Sequence, residues 1–352
     1  MLALLIILSI SFLILVHEFG HFLAAKISGI RVKEFALGFG PPIISFKHKE
    51  TRYRVNVILL GGYVKFFSLK KGKTEESQLF EGDELEIKPF RQKLLVVVSG
   101  ILANLVVALL ILAILSLAYG SPQALAKLGK IFPNQPAAKA GFRSGDVIVA
   151  VNSKVIKTGD ELARTIGEST NKKILVEVKR GGKKKVLAVT PRYDPKLKRG
   201  IIGVRIETSL KFVREGVIKS LIWAFSQFIR AIGLIFFFLG QLFTAKASIK
   251  TLAGPIGMVK ISSEVAKFGL FNFIFLQAFI SINLAILNLL PLPPLDGGRL
   301  LLYVIEAARR KPLSNQTKGA IIVAGVFVLL TLFVFVTYND ISRILTGADF
   351  LP

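Results

Sequence analysis

Cysteine is absent from this chain of 352 residues, and histidine occurs only three times. Without cysteine there is no disulfide framework, no thiolate zinc site and no cysteine nucleophile. Three histidines leave few ways to build a metal site. Acidic residues are scarce as well, since 22 Asp and Glu stand against 47 Lys and Arg, for a net charge of +25. In a chain whose apolar residues are evenly spread, such an excess of basic residues would indicate nucleic-acid binding. In this chain the apolar residues are clustered, so the basic excess does not by itself indicate a nucleic-acid partner.

The apolar residues form long runs. Hydrophobic residues make up 52% of the chain and the mean hydropathy is +0.60, above the ~45–50% apolar content of soluble domains. Five runs are close to or longer than the ~20 residues that cross a hydrocarbon core of ~30 Å. This pattern predicts a polytopic α-helical membrane protein. The runs cover about residues 2–25, 94–119, 217–243, 271–294 and 320–337.

Basic residues set the expected topology. The first run lacks the basic segment that precedes a cleaved signal peptide, and Lys26, Arg31 and Lys33 follow it. By the positive-inside rule its C-terminal end lies inside, and we interpret the run as a retained helix. The second run follows further basic residues and returns the chain to the outside. Residues 121–208 are therefore expected on the outer side.

Residues 121–208 differ in character from the runs around them. They are Lys-rich, punctuated by Gly and strand-prone, which predicts a soluble domain between a first membrane part, 1–120, and a second, 209–352. The order of the segments 135–142, 144–148 and 200–204 resembles a bacterial PDZ domain, an α+β fold. The resemblance implies a peptide groove along Gly200, Ile201, Ile202 and Gly203. The expected elements are strands near 129–132, 146–151 and 201–206, helices at 137–140 and 160–167, and a hairpin over 174–189 turning at Gly181-Gly182.

The first run contains the segment His17-Glu18-Phe19-Gly20-His21, an HExxH motif. Two imidazoles at i and i+4 lie on one face of a helix and bind one Zn²⁺ together, with the glutamate beside the metal. Glu18 is then placed to take a proton from the attacking water and to pass it to the leaving amine. Ionisable residues inside a spanning helix are functional by default, and the alternative is that they only pair within a helix bundle.

A catalytic zinc site needs a third protein ligand and an open position for water. The remaining histidine, His48, lies in a polar segment typical of a solvated loop. Asp296 closes the apolar run 289–295, in a sequence with three prolines and two following glycines. The prolines bend the chain and the glycines allow close backbone approach, so a carboxylate here can face inward. Asp296 is the candidate third ligand, with a helix cap and a different ligand, Glu306, as alternatives.

Several motifs in chain order resemble the site-2 proteases, in particular the RseP-type intramembrane zinc metalloproteases. They are the HExxH segment 17–21, Gly61-Gly62-Tyr63-Val64, the segment 99–104, the PDZ-like insert and the segment from Asn288 to Gly297. The resemblance implies one zinc per chain with ligands His17, His21 and Asp296, and Glu18 as catalytic acid and base. It also implies that Asn283 and Asn288 line the substrate path, and that residues 52–68 form a membrane-re-entrant β-loop in which Gly61, Gly62 and Tyr63 contact the substrate. Well-known members carry two tandem PDZ domains, whereas this chain has room for one.

The metal site constrains the topology. If the run 217–243 crossed the membrane, Asp296 would emerge on the outer face, a hydrocarbon core away from the two histidines. That run carries polar residues on one side and is expected to lie in the outer interface. The expected fold therefore has four spanning helices, a re-entrant β-loop and one inserted extracytoplasmic PDZ domain. By the same resemblance it lies in a bacterial inner membrane, with the active site toward the cytoplasm.

Two classes of function fit these features. The first, implied by the resemblance, is an intramembrane zinc metalloprotease that hydrolyses peptide bonds within transmembrane segments of single-pass proteins, such as anti-sigma factors or signal-peptide remnants. Its partners are those substrates, membrane lipids and an upstream site-1 protease. The second is a membrane-tethered PDZ adaptor without protease activity, which needs no metal. The sequence has no phosphate-cradling loop or basic strip interleaved with aromatics, so a nucleic-acid partner is not expected.

Overall fold

The computed structural model describes residues 2–67, 84–124, 126–195, 197–207, 210–214, 216–244, 246, 248 and 252–346. The chain forms two compact units. We call Ser116–Ser220 the inserted unit, and Met1–Leu115 together with Leu221–Pro352 the helical unit. Residues 68 and 208, where the sequence predicts the ends of the β-loop and of the PDZ-like domain, lie outside the described residues.

Helices form most of the helical unit, with a long β-hairpin after the first of them; element labels follow chain order through both units. Its elements are α1 (Leu2–Ile27), β1 (Val32–His48), β2 (Thr51–Phe66), α2 (Phe90–Tyr119), α5 (Val217–Phe243), α6 (Pro255–Lys267), α7 (Leu270–Asn288), α8 (Asp296–Arg309) and α9 (Asn315–Thr346). The inserted unit contains β3 (Ser121–Ala124), β4 (Leu128–Ile131), α3 (Pro136–Lys139), β5 (Val147–Val151), β6 (Lys154–Val155), α4 (Gly159–Glu168), β7 (Ile174–Arg180), β8 (Lys183–Val189), β9 (Arg192–Asp194), β10 (Arg199–Ile201), β11 (Val204–Ile206) and β12 (Leu210–Val213).

The five apolar runs all form helices, as the sequence predicts: α1, α2, α5, α7 and α9. Each is long and apolar enough to cross a membrane by length and composition, α5 included. α7 ends at Asn288, earlier than predicted, because Pro291 and the prolines after it interrupt the helix. The short helices α6 and α8 are not predicted by the sequence, because neither is a long apolar run.

α1 and α2 pack side by side and run antiparallel. Gly20 of α1 lies against Gly100 of α2. One turn later in α1, Ala24 shares a buried apolar cluster with Val96, which lies one turn earlier in α2. Residue numbers therefore rise in opposite directions along the two helices.

α7 also runs antiparallel to α2. The Ser281 hydroxyl of α7 donates to the main-chain carbonyl of Asn104 at 2.9 Å. Two turns later in α7, Asn288 reaches His17, which lies beside Gly100, one turn before Asn104 in α2. α1 and α7 therefore run in the same direction.

β1 and β2 form a long, irregular hairpin that turns at Lys49-Glu50. Next to the turn, residues 51–56 pair with residues 42–48, and further along β2 residues 62–66 pair with residues 32–37. In the sequence, Gly61-Gly62 separates two strand-like segments, 53–60 and 63–67, which predicts a turn at the two glycines. This prediction is wrong, because both glycines lie inside β2. Gly61 has a φ of +124°, which favours glycine, so the pair bends the strand between its two pairing regions.

The inserted unit is built around the four-stranded sheet β6-β5-β7-β8. β7 and β8 form the predicted hairpin with Gly181-Gly182 at its turn, and α3 and α4 lie where the sequence predicts them. The single strand expected over 201–206 is wrong: Gly203, with a φ of +76°, separates β10, paired with β9, from β11, paired with β4. Apolar residues of this sheet, of β4 and of α4 form the core, among them Leu128, Ile148, Leu162, Ile174, Val176 and Val178.

Candidate metal centre

His17 and His21 lie on the buried face of α1, with exposures of 7% and 9%. Between them, Gly20 lets α2 approach closely. A Cβ on Gly20 would meet the carbonyl oxygen of Ser99 and would lie 2.9 Å from the Cβ of Ala103. The apolar helix thus holds both imidazoles directly against α2.

Gly100 of α2 faces the two imidazoles. A Cβ on Gly100 would meet Nε2 of His21 and would lie 3.0 Å from Cε1 of His17. Nδ1 of His21 donates to the carbonyl of Val96 at 2.7 Å. Because a carbonyl can only accept, this bond fixes the tautomer and leaves Nε2 of His21 as a metal-binding atom.

Asp296 is the first residue of α8 and reaches the histidines from the loop that follows α7. Gly297 and Gly298 sit directly against the backbone of this loop, and a Cβ on Gly298 would lie 2.7 Å from Cα of Pro293. The close backbone approach expected of the two glycines is therefore confirmed. It lets α8 begin beside α1, so that the Asp296 carboxylate faces the imidazoles.

Three potential ligand atoms converge at this point. Oδ2 of Asp296 lies 3.0 Å from Nε2 of His17 and 3.1 Å from Nε2 of His21, and the two Nε2 atoms are 3.2 Å apart. Ligand atoms of a tetrahedral zinc ion lie about 3.3 Å from one another, so this triangle fits one face of such a site. Two imidazoles and one carboxylate also form a donor set that leaves a fourth position open, as in catalytic zinc sites.

The other two candidate ligands lie elsewhere. His48 is the last residue of β1 and is exposed beside the hairpin turn. Glu306 of α8 lies 2.8 Å from Nζ of Lys318 and accepts the main-chain N–H of Leu313 at 2.9 Å. Within the part of the chain that the structure describes, His17, His21 and Asp296 are the residues close enough to hold an ion together. The alternative with Glu306 as third ligand therefore disagrees with the geometry.

Glu306 belongs instead to an ion-pair cluster that joins α8, α9 and the segment before α2. Lys318 lies 2.5 Å from Oε2 of Glu86, and the Tyr303 hydroxyl donates to Glu86 at 3.1 Å. Burial raises the pKa of Glu86, but hydrogen bonds from Lys318 and Tyr303 outweigh it and hold this pKa below its usual range. The cluster holds the C-terminal half of α8, about two to three turns away from Asp296.

A pocket of about 380 Å³ surrounds the three ligand atoms. Glu18 lines the pocket next to the histidines, and Gly62 of β2 lies against it. A Cβ on Gly62 would come within 2.9 Å of Cγ of Glu18. Glycine at position 62 therefore leaves the space that the Glu18 side chain occupies. Further lining residues are Phe39, Gly61, Tyr63, Val64, Asn104, Asn288 and Arg299.

Four of the five residues that the resemblance assigns to substrate binding line this pocket: Gly61, Gly62, Tyr63 and Asn288. Asn288 comes nearest to the ligand atoms, with Nδ2 3.4 Å from Nε2 of His17. The fifth, Asn283, is half-buried on α7 and is not among the described residues that line the pocket. Five residues along a helix correspond to a rotation of about 140°, so the two asparagines face different sides of α7.

Two residues of α2, both in the segment 99–104, are given no role at the metal site by the sequence. Gly100 contacts the imidazoles, and Asn104, fully buried one turn later, lines the pocket. Their spacing of four places both on one face of α2. A lone carboxamide inside an apolar run is the signal that could have identified Asn104.

In the inserted unit, Gly200, Ile201, Ile202 and Gly203 line a groove of about 270 Å³ together with α4. A Cβ on Gly200 would lie 2.6 Å from the hydroxyl oxygen of Thr170, so the missing side chain keeps this segment close to the end of α4. A groove between a short strand and a helix can accept an extended peptide.

The pattern of peptidase family M50 matches residues 5–332 of this chain. Over 407 aligned residues the chain is 30% identical to the zinc metalloprotease RasP of Bacillus licheniformis, covering 94% of this chain and 96% of the relative. Over 410 aligned residues it is 29% identical to the regulator of sigma-W protease RasP of Bacillus subtilis, with the same coverage of 94% and 96%. Among solved structures it is similar to the PDZ domain of the SdrC-like protein of Listeria monocytogenes, with 18% identity and a TM-score of 0.22, over 24% of this chain and 90% of that chain.

Proposed function

This chain belongs to peptidase family M50, the family of the site-2 proteases, and we propose that it is a zinc metalloprotease of a bacterial membrane that hydrolyses peptide bonds within transmembrane segments of single-pass proteins. The observation that carries the proposal is the convergence of His17, His21 and Asp296 beside Glu18, with both histidines inside an otherwise apolar helix. Ionisable groups are unfavourable at this depth in a bilayer, so they are rare there and mark functional sites. A membrane-tethered adaptor has no use for such a group of ligands.

In the proposed mechanism His17, His21 and Asp296 hold the zinc ion. When bound, zinc supplies a Lewis acid that lowers the pKa of a water molecule and polarises the scissile carbonyl. Glu18 takes a proton from the attacking water and donates it to the leaving amine. Asn288 donates to the carbonyl oxygen of the substrate, where negative charge develops as the water attacks.

The substrate binds as an extended strand. A transmembrane helix keeps its carbonyls in i→i−4 hydrogen bonds, so the scissile bond becomes reachable only after local unwinding. Among the described residues, Gly62–Val64 pair with β1 on one edge only and line the pocket in the same stretch. This edge offers new partners to the unwound segment by strand addition. Residues 52–55 offer no such edge, because they pair with residues 34–37 as well as with residues 44–47.

Four spanning helices account best for the packing of the helical unit. Lys318 near the start of α9 joins Glu86, which precedes α2. About 33 Å further along α9, the buried Asp340 accepts hydrogen bonds from the main-chain N–H groups of Gly254 and Gly257 at 3.1 and 2.7 Å. α6 therefore begins on the side where α2 ends. The chain between them makes no net crossing, and we place α5, which packs on α2 and α7, in the outer leaflet.

The partners follow from this arrangement. The inserted unit is the extracytoplasmic PDZ domain, and its groove at Gly200–Gly203 binds an extended peptide segment. Its Lys-rich surface favours anionic lipid headgroups. A relative described as a regulator of sigma-W protease supports membrane-bound regulators such as anti-sigma factors as substrates, shortened first by an upstream protease.

Zinc content and cleavage, measured on the same purified protein, test the proposal. We expect about one zinc per chain in the wild type and loss of bound zinc in His17→Ala and in Asp296→Ala. Glu18→Gln should keep its zinc and cleave a model spanning helix ~10²–10⁴-fold more slowly, because glutamine cannot carry the proton.

Glu306→Ala is the matched control for the ligand variants and should retain zinc, because Glu306 pairs with Lys318. Full zinc occupancy in both His17→Ala and Asp296→Ala would refute the metal site. Normal cleavage by Glu18→Gln would remove Glu18 from the mechanism.

A further inference from the structure

Asn104 is a buried polar residue that the mechanism leaves unused. It is fully buried in α2 and lines the pocket around the ligand atoms. Neither Oδ1 nor Nδ2 of its side chain has a hydrogen-bond partner among the described residues. An asparagine that only joined two helices would have a partner on the neighbouring helix. Here the contact with α7 is made instead by its main-chain carbonyl, which accepts from Ser281.

Asn104 lies one helical turn from the metal ligands. Gly100 touches the two imidazoles, and four residues of helix bring Asn104 about 6 Å further along the same face of α2. Peptide units on one edge of an extended strand repeat every ~6.6–6.8 Å. A bound strand that runs along α2 with its scissile bond at the histidines therefore presents its next peptide unit at the level of Asn104.

We propose that the Asn104 carboxamide binds the main chain of the substrate, one strand repeat from the scissile bond. Transmembrane segments contain few polar groups other than their peptide N–H and C=O groups. One carboxamide provides both a donor and an acceptor, which matches a peptide unit. β2 can pair with only one edge of the added strand. The peptide groups on the other edge have no bulk water in the bilayer to bind. Asn104, on α2, supplies a partner that β2 cannot. The inference rests on the proposed function, because it needs an unwound substrate in the pocket.

Single backbone esters in the substrate test the proposal. An ester in place of a peptide bond removes one N–H donor and leaves the side chains unchanged. Affinity for a model spanning peptide is measured with the zinc-loaded Glu18→Gln protein, which binds without cleaving, and with the same protein carrying Asn104→Leu. We expect that an ester within about two residues of the scissile bond weakens binding to the first protein by roughly 3- to 10-fold, the effect of one hydrogen bond. The same ester should have no effect on the Asn104→Leu protein.

Gln277→Leu is the matched control. Gln277 of α7 is also buried, and its carboxamide also has no partner among the described residues, but it is not among the described residues that line the pocket. Its variant should keep the full ester effect. Each variant is first checked for zinc content, and Asn104→Ser, too short to reach the substrate, replaces Asn104→Leu if that protein does not retain zinc.

The outcomes separate the two proposals. Equal ester effects with and without Asn104, at every position, would show that Asn104 only packs and would overturn the inference. If the zinc-loaded wild-type protein does not cleave the peptide at all, it is the protease function that fails. Normal wild-type cleavage together with ester effects independent of Asn104 would refute the substrate contact alone.

Discussion

Gly20, Gly62 and Gly100 determine how closely neighbouring elements approach the metal ligands and Glu18. At Gly62 and Gly100 a Cβ would come within 3.0 Å of Glu18 or of the histidines, and at Gly20 it would come within 3.0 Å of atoms of α2. The ionisable side chains supply the chemistry, but the missing side chains set the distances between them. Catalytic rates are sensitive to displacements of about 1 Å, so these positions should be nearly as critical as the ligands.

Gly62→Ala tests this directly. The new Cβ would lie 2.9 Å from Cγ of Glu18 and 3.0 Å from the carbonyl oxygen of Ala36, so Glu18 must move. We expect turnover to fall on the order of 10²-fold while the zinc content stays at the wild-type value, as measured by single-turnover cleavage and metal analysis.

The control for Gly62→Ala is Gly233→Ala in α5, where a Cβ would have no described heavy atom within 4 Å. It should cleave at the wild-type rate. Equal turnover by the two variants would contradict the positioning role of Gly62.

The sequence predicts some residues of the site better than others. His17, Glu18 and His21 can be read from the chain because one turn of one helix brings them together. Asp296 needs the added information that a carboxylate ends an apolar run beside prolines and glycines. Asn104 could not be assigned, because its significance lies in having no partner and in facing a pocket, and both depend on the packing of other elements.

At the scale of elements, a buried ion pair holds the sheet of the inserted unit together. Asp146, immediately before β5, is fully buried and accepts hydrogen bonds from Arg180 of β7 at 2.7 and 2.8 Å and from the N–H of Arg143 at 2.9 Å. Burial raises the pKa of Asp146, but the bonds from Arg180 and Arg143 outweigh it and hold this pKa below its usual range. The ionised carboxylate is thus part of the folded sheet.

This ion pair predicts a pH dependence. Because the folded-state pKa of Asp146 is lower than the unfolded value of ~3.9, its ionisation stabilises the fold above about pH 4, and this contribution is lost as the pH falls through the folded-state pKa. Asp146→Asn should lower the free energy of opening β5 and β7 by about 3 kcal/mol at pH 7, with a smaller difference below about pH 3. Hydrogen exchange of these strands in the full chain measures it.

Glu207→Gln, which removes a half-exposed pair with Lys127, is the control and should change the opening free energy by less than about 1 kcal/mol. A difference between Asp146→Asn and the wild type that is independent of pH would contradict the role of the carboxylate.

Strand addition predicts that the helix propensity of the substrate controls its cleavage rate. A Gly or Pro placed next to the scissile bond lowers the free energy of unwinding by roughly 1–3 kcal/mol relative to Ala. Cleavage should therefore accelerate, by at most ~5-fold for Gly and ~160-fold for Pro. The measurement is kcat/KM for a matched series of spanning peptides with Ala, Gly or Pro at one position. Equal rates across the series would argue against binding as a strand.

The two Gly-Gly pairs show why some elements were predicted and others were not. Gly181-Gly182 separates two strands that pair with each other, so local sequence determines the hairpin. The segments of β2 before and after Gly61-Gly62 do not pair with each other; residues 52–55 and 62–65 both pair with residues 34–37 of β1, and nothing local distinguishes the two cases. α8 was missed for a related reason: its start is fixed by the packing of Gly297 and Gly298 on the preceding loop.

At the scale of the whole molecule, the two ends of α9 carry separate polar contacts. Lys318 binds Glu86 and Glu306 at one end, and Asp340 holds the start of α6 at the other. These contacts fix α9 against both sides of the helical unit, and they are the basis for placing α5 in the outer leaflet.

This topology predicts which introduced thiols are accessible from each side. Because the chain has no cysteine, a single Cys at Lys184 or at Lys311 is the sole thiol to label. We expect an impermeant reagent added outside intact cells to modify Lys184→Cys and to leave Lys311→Cys unmodified until the membrane is opened. The reverse pattern would overturn the topology, and labelling of both from outside would exclude an odd number of crossings between them.

The contact between α1 and α2 has a consequence for how a substrate arrives. At Gly20 and Gly100 the two helices are so close that neither can accommodate one additional methyl group, so no chain can pass between them to the ligands. If substrates add to the edge of β2, a helix diffusing in the bilayer enters past β2 and meets this strand edge before it meets the metal site. Entry of the substrate and its local unwinding then occur in one step at the hairpin of β1 and β2. A stable helix would dissociate again before its peptide bonds are exposed to water at the metal site.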